Sequence, residues 1–536
     1  MQKRWINFSF YLVLALTAIN CANRGSIGGG PKDVTPPEII KTVPENYSTN
    51  FTANEIRIYF NEYVKVKNLQ KQLIISPPMN TQPEVTPLSS ASEYIKIKIF
   101  DTLKPNTTYA FNFGNSIVDN NEENPYEYYR YVFSTGDYID SLNVKGSVID
   151  ALNRTTESFI SIHLYEVDST YTDSIIYKEK PKYVTNTLDS TTNFTIENLR
   201  AGTYRLIALK DNNSNNLYEQ RSDKIGFYED FITVPDTSAN YQLKVFKENL
   251  DYKASKPRLV AGEKIAFGYQ GDYTKTKIEL LSKVPDSFRY RIVKEQDTDT
   301  LNYYYSPKLE DTDSLIFKVQ NNKIIDTFTV KLKDNLRDSL NLKAEPTNTI
   351  ALYESFKLKA NIPITKVNKD NISIMNKDSV FIDFDTKLDT ILNHLEINFD
   401  KEDNSQYSMT ILPETVIDFF ENTNDTLNYK LKTPDPESLG EARVIIQNAT
   451  YPIIVQLVDD KSEVKYEKYS TKPEPLDFFY LKPNKYFLRV VFDTNENGEY
   501  DTGDFLKKIQ PERVSYRKKE VEVRIGWSNI EEFILN

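Results

Sequence analysis

The chain has 536 residues, with 66 Lys and Arg against 77 Asp and Glu, and a formal net charge of −11 at pH 7. An acidic surface repels nucleic acids and anionic lipid headgroups, so we expect the chain to bind neither. It has one cysteine and two histidines, too few for an internal disulfide or a Cys/His zinc site.

The first twenty residues have the order of a secretory signal peptide. Lys3 and Arg4 precede the mostly apolar segment Ile6–Ile19, and a charged start followed by an apolar stretch is typical of such signals. As a helix this segment would cover about 21 Å, less than the roughly 30 Å of a bilayer's hydrocarbon core. We therefore predict that residues 1–20 form a cleaved signal peptide.

The single cysteine, Cys21, follows this segment directly. The residues Ala18-Ile19-Asn20-Cys21 resemble the cleavage box of bacterial lipoproteins, in which the cysteine becomes the acylated first residue of the mature protein. That resemblance implies lipidation of Cys21 and attachment to the outer membrane. An ordinary signal peptide followed by a chance cysteine is the alternative.

A tether is predicted next, over residues 21–35, because residues 22–31 are small, Gly-rich and carry only one charge, Arg24. Surface-exported lipoproteins of Bacteroidetes-type bacteria carry acidic residues just after the cysteine. Here the first acidic residue is Asp33. By this resemblance the periplasmic face of the outer membrane is favoured over the cell surface.

Strand patterns dominate the remainder of the chain. Ile56, Ile58 and Phe60 alternate with polar neighbours, which is the period of a half-buried strand. The chain also contains 36 Tyr and 29 Phe, residue types that favour sheets. We predict an all-β chain of about five modules with roughly 100 residues each. Only Ser528–Phe533, near the end, is predicted as helix.

The first module is predicted over residues 36–137. It opens with Pro36-Pro37, has a strand ending in Phe60-Asn61-Glu62, and closes on Phe133-Ser134-Thr135-Gly136. These segments resemble the bacterial Ig-like domain of S-layer proteins and Bacteroidetes lipoproteins. The resemblance implies a β-sandwich, and no activity follows from that fold.

Internal repeats define the later modules. Residues 199–216 align without a gap on residues 481–498, with Tyr204 matching Tyr486 and Asp211 matching Asp493. Residues 116–137 also resemble residues 415–435. The chain therefore resembles a pair of modules that has been duplicated, with a distinct module between the two copies. The predicted boundaries of modules two to five are 141–245, 248–335, 337–435 and 438–536.

The second and fifth modules resemble transthyretin-like β-sandwiches, which are common in exported bacterial proteins. The resemblance rests on a short strand, the Asn-Leu-x-x-Gly-x-Tyr turn of Asn198–Tyr204 and a further strand. It implies a spacer or a support for binding. The fourth module is predicted to be Ig-like because it echoes the first, and the third to be a further β-sandwich.

The most specific chemical pattern is the loop 493–504, whose oxygen-bearing side chains have the spacing of an EF-hand-type calcium loop, with Gly498 at the sharp turn. We predict a structural Ca²⁺ site there. The alternative is an Asn/Asp-rich turn held by local hydrogen bonds. The predicted ligands are Asp493, Asn495, Asn497, Glu499, Asp501 and Asp504.

The matching loop of the second module is a weaker candidate for calcium. Asp211, Asn213, Asn215 and Glu219 keep the acidic and amide positions, but Asn216 replaces the glycine. The terminal acidic position is also changed, because Ser222 stands there. Whether this loop binds a metal is left open.

Enzymatic signals are scarce. The sequence lacks nucleophile-elbow, zinc-protease and phosphate-binding motifs. His163 shares strand parity with Ser161 and Tyr165 and is expected at a surface or an edge. Glu122 and Glu123 could serve a glycosidase, but an Asn-rich turn explains them better. We therefore predict that the protein is not an enzyme.

Two functions fit these features. The first is a non-enzymatic, lipid-anchored envelope protein that acts as a scaffold or as an interaction subunit of an outer-membrane assembly, with a protein partner in the envelope. The second is a lipoprotein that binds a glycan or a peptide through loops rich in Tyr and Asn, such as Asn120–Tyr131.

Short Asp-Ser/Thr-apolar triplets recur along the chain, as at Asp140-Ser141-Leu142 and Asp313-Ser314-Leu315. They resemble the O-glycosylation site of exported Bacteroidetes proteins. Such dipeptides are also good turn openers before strands, and the sequence does not decide between the two readings.

Overall fold

The computed structural model describes residues 32–88, 90–188, 192–236, 240–310 and 312–535. The predicted signal peptide, Cys21 and most of the predicted tether lie outside these residues. Strands make up 48% of these described residues and helices 3%, which confirms the all-β class. The cause is visible in the second strand, where Ile56, Ile58 and Phe60 are buried and Arg57 is exposed.

The first module contains eight strands in two sheets, β1-β2-β5-β4 with β7 beside β2, and β3-β6-β8. Its core contains Phe111, Tyr131 and Phe133, and one helical turn, α1, spans Leu69–Gln72. The strands are β1 (Ile39–Val43), β2 (Glu55–Val66), β3 (Ile74–Ser76), β4 (Glu84–Thr86), β5 (Ser92–Lys98), β6 (Thr108–Asn112), β7 (Ile117–Asp119) and β8 (Arg130–Ser134).

The second module has a three-stranded sheet, β12-β9-β16, facing a sheet of order β11-β10-β13-β14 with β15 beside β13. A 3-10 turn spans Asp173–Tyr177. The strands are β9 (Leu142–Asp150), β10 (Ser161–Glu166), β11 (Tyr183–Asn186), β12 (Asn193–Leu199), β13 (Gly202–Lys210), β14 (Lys224–Phe227), β15 (Ile232–Val234) and β16 (Asn240–Val245).

The third module pairs a sheet of order β17-β19-β22-β21, with β18 beside β19, with the sheet β20-β23-β24. Phe267, Tyr303 and Phe317 lie in its core. The strands are β17 (Lys253–Ala254), β18 (Arg258–Ala261), β19 (Lys264–Gln270), β20 (Thr276–Leu280), β21 (Arg289–Lys294), β22 (Thr300–Ser306), β23 (Ser314–Asn321) and β24 (Ile324–Lys331).

The fourth module contains the sheets β25-β26-β30-β29, β28-β31-β33 and β27-β32. A 3-10 turn spans Lys369–Asn371. The strands are β25 (Leu342–Glu345), β26 (Phe356–Ala360), β27 (Ile364–Val367), β28 (Ile372–Asn376), β29 (Phe384–Asp389), β30 (His394–Phe399), β31 (Gln406–Ile411), β32 (Val416–Asp418) and β33 (Leu427–Lys432).

The fifth module has the sheets β37-β34-β41 and β36-β35-β38-β39, with β40 beside β38. The 3-10 turn Pro436–Ser438 precedes it. The strands are β34 (Gly440–Gln447), β35 (Ile453–Val458), β36 (Val464–Ser470), β37 (Leu476–Leu481), β38 (Asn484–Phe492), β39 (Val514–Tyr516), β40 (Val521–Val523) and β41 (Ser528–Ile534).

Modules that resemble each other in sequence also share their strand topology. In the second module β9 pairs antiparallel with β12 and parallel with β16. In the fifth module β34 likewise pairs antiparallel with β37 and parallel with β41. The two main sheets of the fourth module repeat the orders β1-β2-β5-β4 and β3-β6-β8 of the first.

Two local predictions are wrong. Ser528–Phe533 belongs to strand β41 and not to a helix, because the buried edge of β34 pairs with it and Phe533 packs into the core. His163 is 0% exposed and lies on β10 between β11 and β13. Other segments cover the sheet face on which His163 lies. Its position on that face of β10 therefore does not expose it to solvent.

The first module contacts the second directly, and the third contacts the fourth. Between the first and second, the Arg130 guanidinium donates to Asn198 Oδ1 at 2.6 Å, and the amide of Val184 donates to Ser76 Oγ at 3.1 Å. Between the third and fourth, the Tyr304 hydroxyl donates to the carbonyl of Asn361 at 2.6 Å. These junctions bury polar contacts, which restricts the freedom of each module relative to the next.

Candidate cation loops and the interface they form

The loop that follows β38 is organised by Asp493, which is buried. Its two carboxylate oxygens accept hydrogen bonds from the backbone amides of Asn497 at 3.1 Å and Gly498 at 2.8 Å. Gly498 has φ of 79°, a left-handed conformation that suits glycine. The sharp turn expected at this position is therefore present.

Asn495, Asn497 and Asp501 converge on one another inside this loop. The side-chain amides of Asn495 and Asn497 donate to Asp501 Oδ2 at 2.6 and 2.8 Å. The structure thus brings together Asp493, Asn495, Asn497 and Asp501. Glu499 is exposed, and its backbone amide donates to Asn497 Oδ1 at 2.8 Å.

Asp504 is engaged elsewhere. Its carboxylate accepts hydrogen bonds from the Lys507 backbone amide at 2.9 Å and from the Lys507 ammonium at 2.6 Å. Burial raises the pKa of Asp504, but the contacts with Lys507 outweigh it and the net pKa is lowered. The acidic residue that closes the loop is Glu512, whose carboxylate accepts from the amides of Thr494 at 2.6 Å and Asp501 at 3.0 Å.

The loop of the second module repeats this arrangement. Asp211 accepts from the amide of Asn216 at 2.7 Å, as Asp493 does from Gly498. Asp223 accepts from the amides of Asn212 at 3.1 Å and Glu219 at 2.9 Å, so it occupies the place of Glu512. Neither Asp223 nor Glu512 lies within the twelve-residue pattern, which is why sequence reasoning missed both.

Three carboxylates of the second loop lie close together. Ligand atoms of Asp211, Glu219 and Asp223 are all within 4.8 Å of one another, the one such acidic group in the part of the chain that the structure describes. Burial raises the pKa of Asp211, and the charge of Asp223 raises it further, against hydrogen bonds that lower it. These oxygen donors fit a hard divalent cation. Ca²⁺ at the loop 493–504 remains a prediction, and the second loop remains a candidate.

The segment after the first loop docks the fifth module onto the second. The Phe505 side chain is fully buried in an apolar cluster on the outer face of the sheet β11-β10-β13-β14, and its ring meets that of Phe227 at 5.3 Å. The Thr502 hydroxyl donates to the carbonyl of Lys247 at 2.6 Å. At Gly503 a Cβ would lie 2.5 Å from the Phe246 ring, so only glycine allows this approach.

The second module contacts the fifth in return. The carbonyl of Leu152 accepts a hydrogen bond from the Tyr516 hydroxyl at 2.8 Å, and the Arg154 guanidinium lies 4.0 Å from the centre of the Phe487 ring. Lys508 pairs with Asp173 at 2.6 Å. The fifth module therefore returns to the second, although two other modules separate them in the chain.

In the Asn120–Tyr131 loop, which the sequence offers as a binding loop, Tyr128 is 47% exposed. Tyr129 and Tyr131 belong to the core of the first module. Asp119 folds the loop by accepting four backbone amides, from residues 121 to 124. Burial raises the pKa of Asp119, but these hydrogen bonds outweigh it and lower the pKa. Glu123 pairs with Lys67, which agrees with a structural turn.

No helix among the described residues has the length and apolar character needed to cross a bilayer. No curated protein matches the chain. Solved structures with similar folds include the surface layer protein SbsC, domains 1–6, at 11% identity, with 91% of this chain and 67% of that chain covered and a TM-score of 0.15. The titin I-band fragment I67–I69 matches at 13% identity over 53% of this chain and 98% of that chain, with a TM-score of 0.12.

A third similar structure is SGBP-B of the Bacteroides ovatus mixed-linkage glucan utilization locus in complex with a mixed-linkage heptasaccharide. It shows 10% identity, coverage of 72% of this chain and 92% of that chain, and a TM-score of 0.17. Likenesses at this level carry no argument about function. A family model, the bacterial Ig-like domain, matches residues 33–135, and the chain therefore contains a bacterial Ig-like domain within its all-β architecture.

Proposed function

We propose that this protein is a non-enzymatic, lipid-anchored scaffold or interaction subunit of an outer-membrane assembly. The observation that carries this proposal is the docking of the fifth module on the second through Phe505. An extended row of modules would serve as a spacer, whereas a chain that returns on itself presents fixed surfaces to partners. This arrangement favours a scaffold over a spacer.

The anchor is proposed to be the lipid on Cys21, at the periplasmic face of the outer membrane. A single acyl chain holds a protein on a membrane only weakly, so a multi-chain anchor is needed for stable attachment. The predicted tether between Cys21 and the first module spans residues 21–35. Such a tether would keep the first module near the membrane and leave the later modules to meet partners.

A partner surface is offered by the outer face of the sheet β37-β34-β41. Ile530 and Ile534 on β41 are 68% and 57% exposed, and Phe479 on β37 is also exposed. The corresponding strand of the second module, β16, carries Asn240 and Gln242 on its exposed face. Solvent tolerates single apolar residues, but a group of them on one face is typical of a protein interface.

The charges around this face indicate the partner's chemistry. Glu441 and Glu532 are exposed on the same face, while Arg443 is paired with Asp477 at 2.6 Å. The unpaired charges are therefore negative. We propose a protein partner that presents apolar side chains with basic residues around them.

Calcium is proposed as a structural ion of the loop 493–504, where it would neutralise the carboxylates of Asp493 and Asp501 next to the docking segment. Extracellular calcium sites are usually weak, with dissociation constants of about 10⁻⁴ to 10⁻³ M. Such a site would stiffen the connection between β38 and Phe505. It supplies no catalysis in this proposal.

The test is affinity purification of the tagged full-length protein from detergent-solubilised membranes. We expect one envelope protein at fixed stoichiometry, lost with Ile530→Lys/Ile534→Lys and kept with the matched control Asn240→Lys/Gln242→Lys. Retention by both variants would exclude this face as the partner site. A wild-type protein that purifies alone would contradict the scaffold proposal, and intact-mass analysis of the same sample reports the lipid on Cys21.

A further inference from the structure

A cleft of about 770 Å³ lies between the third and fourth modules. One wall is the turn between β21 and β22, and the floor is the outer face of the sheet β25-β26-β30-β29. Sites for small ligands commonly have volumes of about 300–1,000 Å³ and lie where domains meet. The cleft therefore has the size and position of a binding site.

The two modules that form the cleft are held together by hydrogen bonds. The backbone amide of Lys294 donates to the carbonyl of Ile391 at 2.8 Å, which ties the third module's hairpin to the fourth module. The Gln296 side chain donates to the carbonyl of Leu392 at 3.4 Å. A cleft whose walls are fixed in advance loses little entropy when a ligand enters it.

The floor is a row of charges that are already paired. Strand register places Glu345 beside Lys357 and Lys357 beside Glu396. Lys359 pairs with Glu345, and Lys357 lies 3.6 Å from Glu396. Each ion pair leaves carboxylate lone pairs and ammonium N–H groups that face the cleft. Ligand hydroxyl groups can hydrogen-bond to them without breaking the ion pairs.

A buried histidine lies at the base of the cleft. His394 Nε2 is 3.1 Å from Glu396 Oε1. Its other ring nitrogen, Nδ1, is buried and has no hydrogen-bond partner among the described residues. Buried polar atoms usually have a hydrogen-bond partner. At the base of the cleft, this nitrogen therefore has unused hydrogen-bonding capacity.

Aromatic rings from both modules line the cleft. Tyr353 of the fourth module is 73% exposed, while Tyr273 of the third packs against Tyr269 at 5.2 Å, with the Lys294 ammonium 5.6 Å from its ring centre. The face of a phenol ring carries the negative part of its quadrupole. The C–H groups on one side of a sugar ring are weakly positive and pack well on such a face.

We propose that this cleft binds a neutral oligosaccharide. Its paired floor offers alternating donors and acceptors for hydroxyl groups, and its tyrosines offer surfaces for the sugar rings. On the floor, a charged ligand would have to compete with ion pairs that already satisfy each other. An anionic ligand would also meet the acidic side chains of Glu295, Asp297 and Glu354, which line the cleft. The inference does not depend on the scaffold role, because it concerns a different surface.

The experiment uses the full-length protein with its signal peptide removed, titrated calorimetrically with neutral hexasaccharides of β-1,4-glucose, β-1,4-xylose and α-1,4-glucose. Hexagalacturonate serves as the charged comparison, and a Lys-rich peptide tests the other class of ligand. We expect one neutral hexasaccharide to bind and the charged probes not to. No binding by any neutral hexasaccharide at about 10 mM, or binding of the charged probes alone, would overturn the proposal.

Variants locate the site. Tyr353→Ala should weaken binding about tenfold, or about 1.4 kcal/mol, and Tyr353→Phe should keep most of it because the ring face remains. The matched control is Tyr94→Ala, which removes an exposed tyrosine from β5, the strand of the first module that corresponds to β30. Equal affinity of Tyr353→Ala and Tyr94→Ala would place the sugar elsewhere. Unchanged thermal unfolding of each variant shows that the fold is intact.

Discussion

The backbone amide of Phe505 donates a hydrogen bond to the buried carboxylate of Glu248 at 2.5 Å. The same carboxylate accepts from the Tyr218 hydroxyl at 2.8 Å. Burial raises the pKa of the Tyr218 hydroxyl, and the charge of Glu248 raises it further, so the tyrosine stays protonated and donates. This one carboxylate, which follows β16, thus holds both the second module's loop and the docking segment of the fifth.

Replacing Phe505 with alanine should release the fifth module from the second. The ring is fully buried against Phe227 and Phe246, and removing a buried phenylalanine costs about 3–5 kcal/mol. We expect a lower unfolding temperature and new proteolytic cleavage near the loop 499–512. Leu506→Ala is the control, because Leu506 is 53% exposed. Identical behaviour of the two variants would mean that the interface contributes no stability.

Asp119 should be essential to the first module. Its carboxylate accepts four backbone amides, and each buried group left unpaired costs about 1–3 kcal/mol. Asp119→Ala should therefore shift denaturant unfolding of the first module by several kcal/mol. Glu122→Ala in the same loop, where the side chain makes no such contacts, should leave stability within about 0.5 kcal/mol of wild type. Equal effects of the two would contradict this role of Asp119.

Calcium should raise the unfolding temperature of the fifth module. At a concentration 100 times the dissociation constant, binding to the folded state adds about 2.7 kcal/mol. Calorimetric scans in about 10 mM CaCl₂ and in EDTA at equal ionic strength measure the shift. An unfolding temperature that is the same in both solutions would leave the loop as a hydrogen-bonded turn.

The ligand set predicted from the sequence and the set indicated by the structure predict different effects of substitutions on the calcium response. In the structure Asp504 pairs with Lys507, whereas Glu512 closes the loop. Asp504→Asn should therefore keep the calcium response, and Asp501→Asn and Glu512→Gln should lose it. Loss of the response in Asp504→Asn, with the response kept in Glu512→Gln, would support the ligand set predicted from the sequence and contradict the structural one.

His163 should make stability depend on pH. Burial lowers the pKa of His163 to about 3, below the ordinary value of about 6.5. Between these values the unfolded chain takes up a proton that the folded chain does not, so stability is lost as pH falls from about 6.5 towards 3. The slope for one such group is about 1.4 kcal/mol per pH unit.

Urea unfolding at pH 7, 6 and 5 measures this slope. The variant His163→Gln lacks the titrating ring and should show a shallower dependence over that range. The wild-type Ser161 hydroxyl contacts His163 Nε2 at 2.9 Å, and glutamine can keep a hydrogen bond there. Equal slopes for the two proteins would show that His163 takes up its proton in the folded state as well.

The sequence predicts the all-β class because strand alternation is local. Whether Ile56 and Ile58 point inward depends on neighbours one or two residues away. The Asp/Asn pattern that begins at Asp211 and repeats at Asp493 is likewise visible in the sequence alone. The same reasoning failed for Ser528–Phe533, since its conformation depends on pairing with β34. It also failed for His163, whose sheet face is covered by other segments.

Within the candidate site, the sequence located the loop but not its closing acid or its docking role. Asp493, Asn495, Asn497 and Asp501 follow from spacing, because one tight turn brings them together. Glu512 and Glu248 do not, because the chain separates Glu248 from Phe505 by 257 residues. Contacts of that kind depend on how two folded modules meet, so only the tertiary structure decides that the fifth module closes on the second.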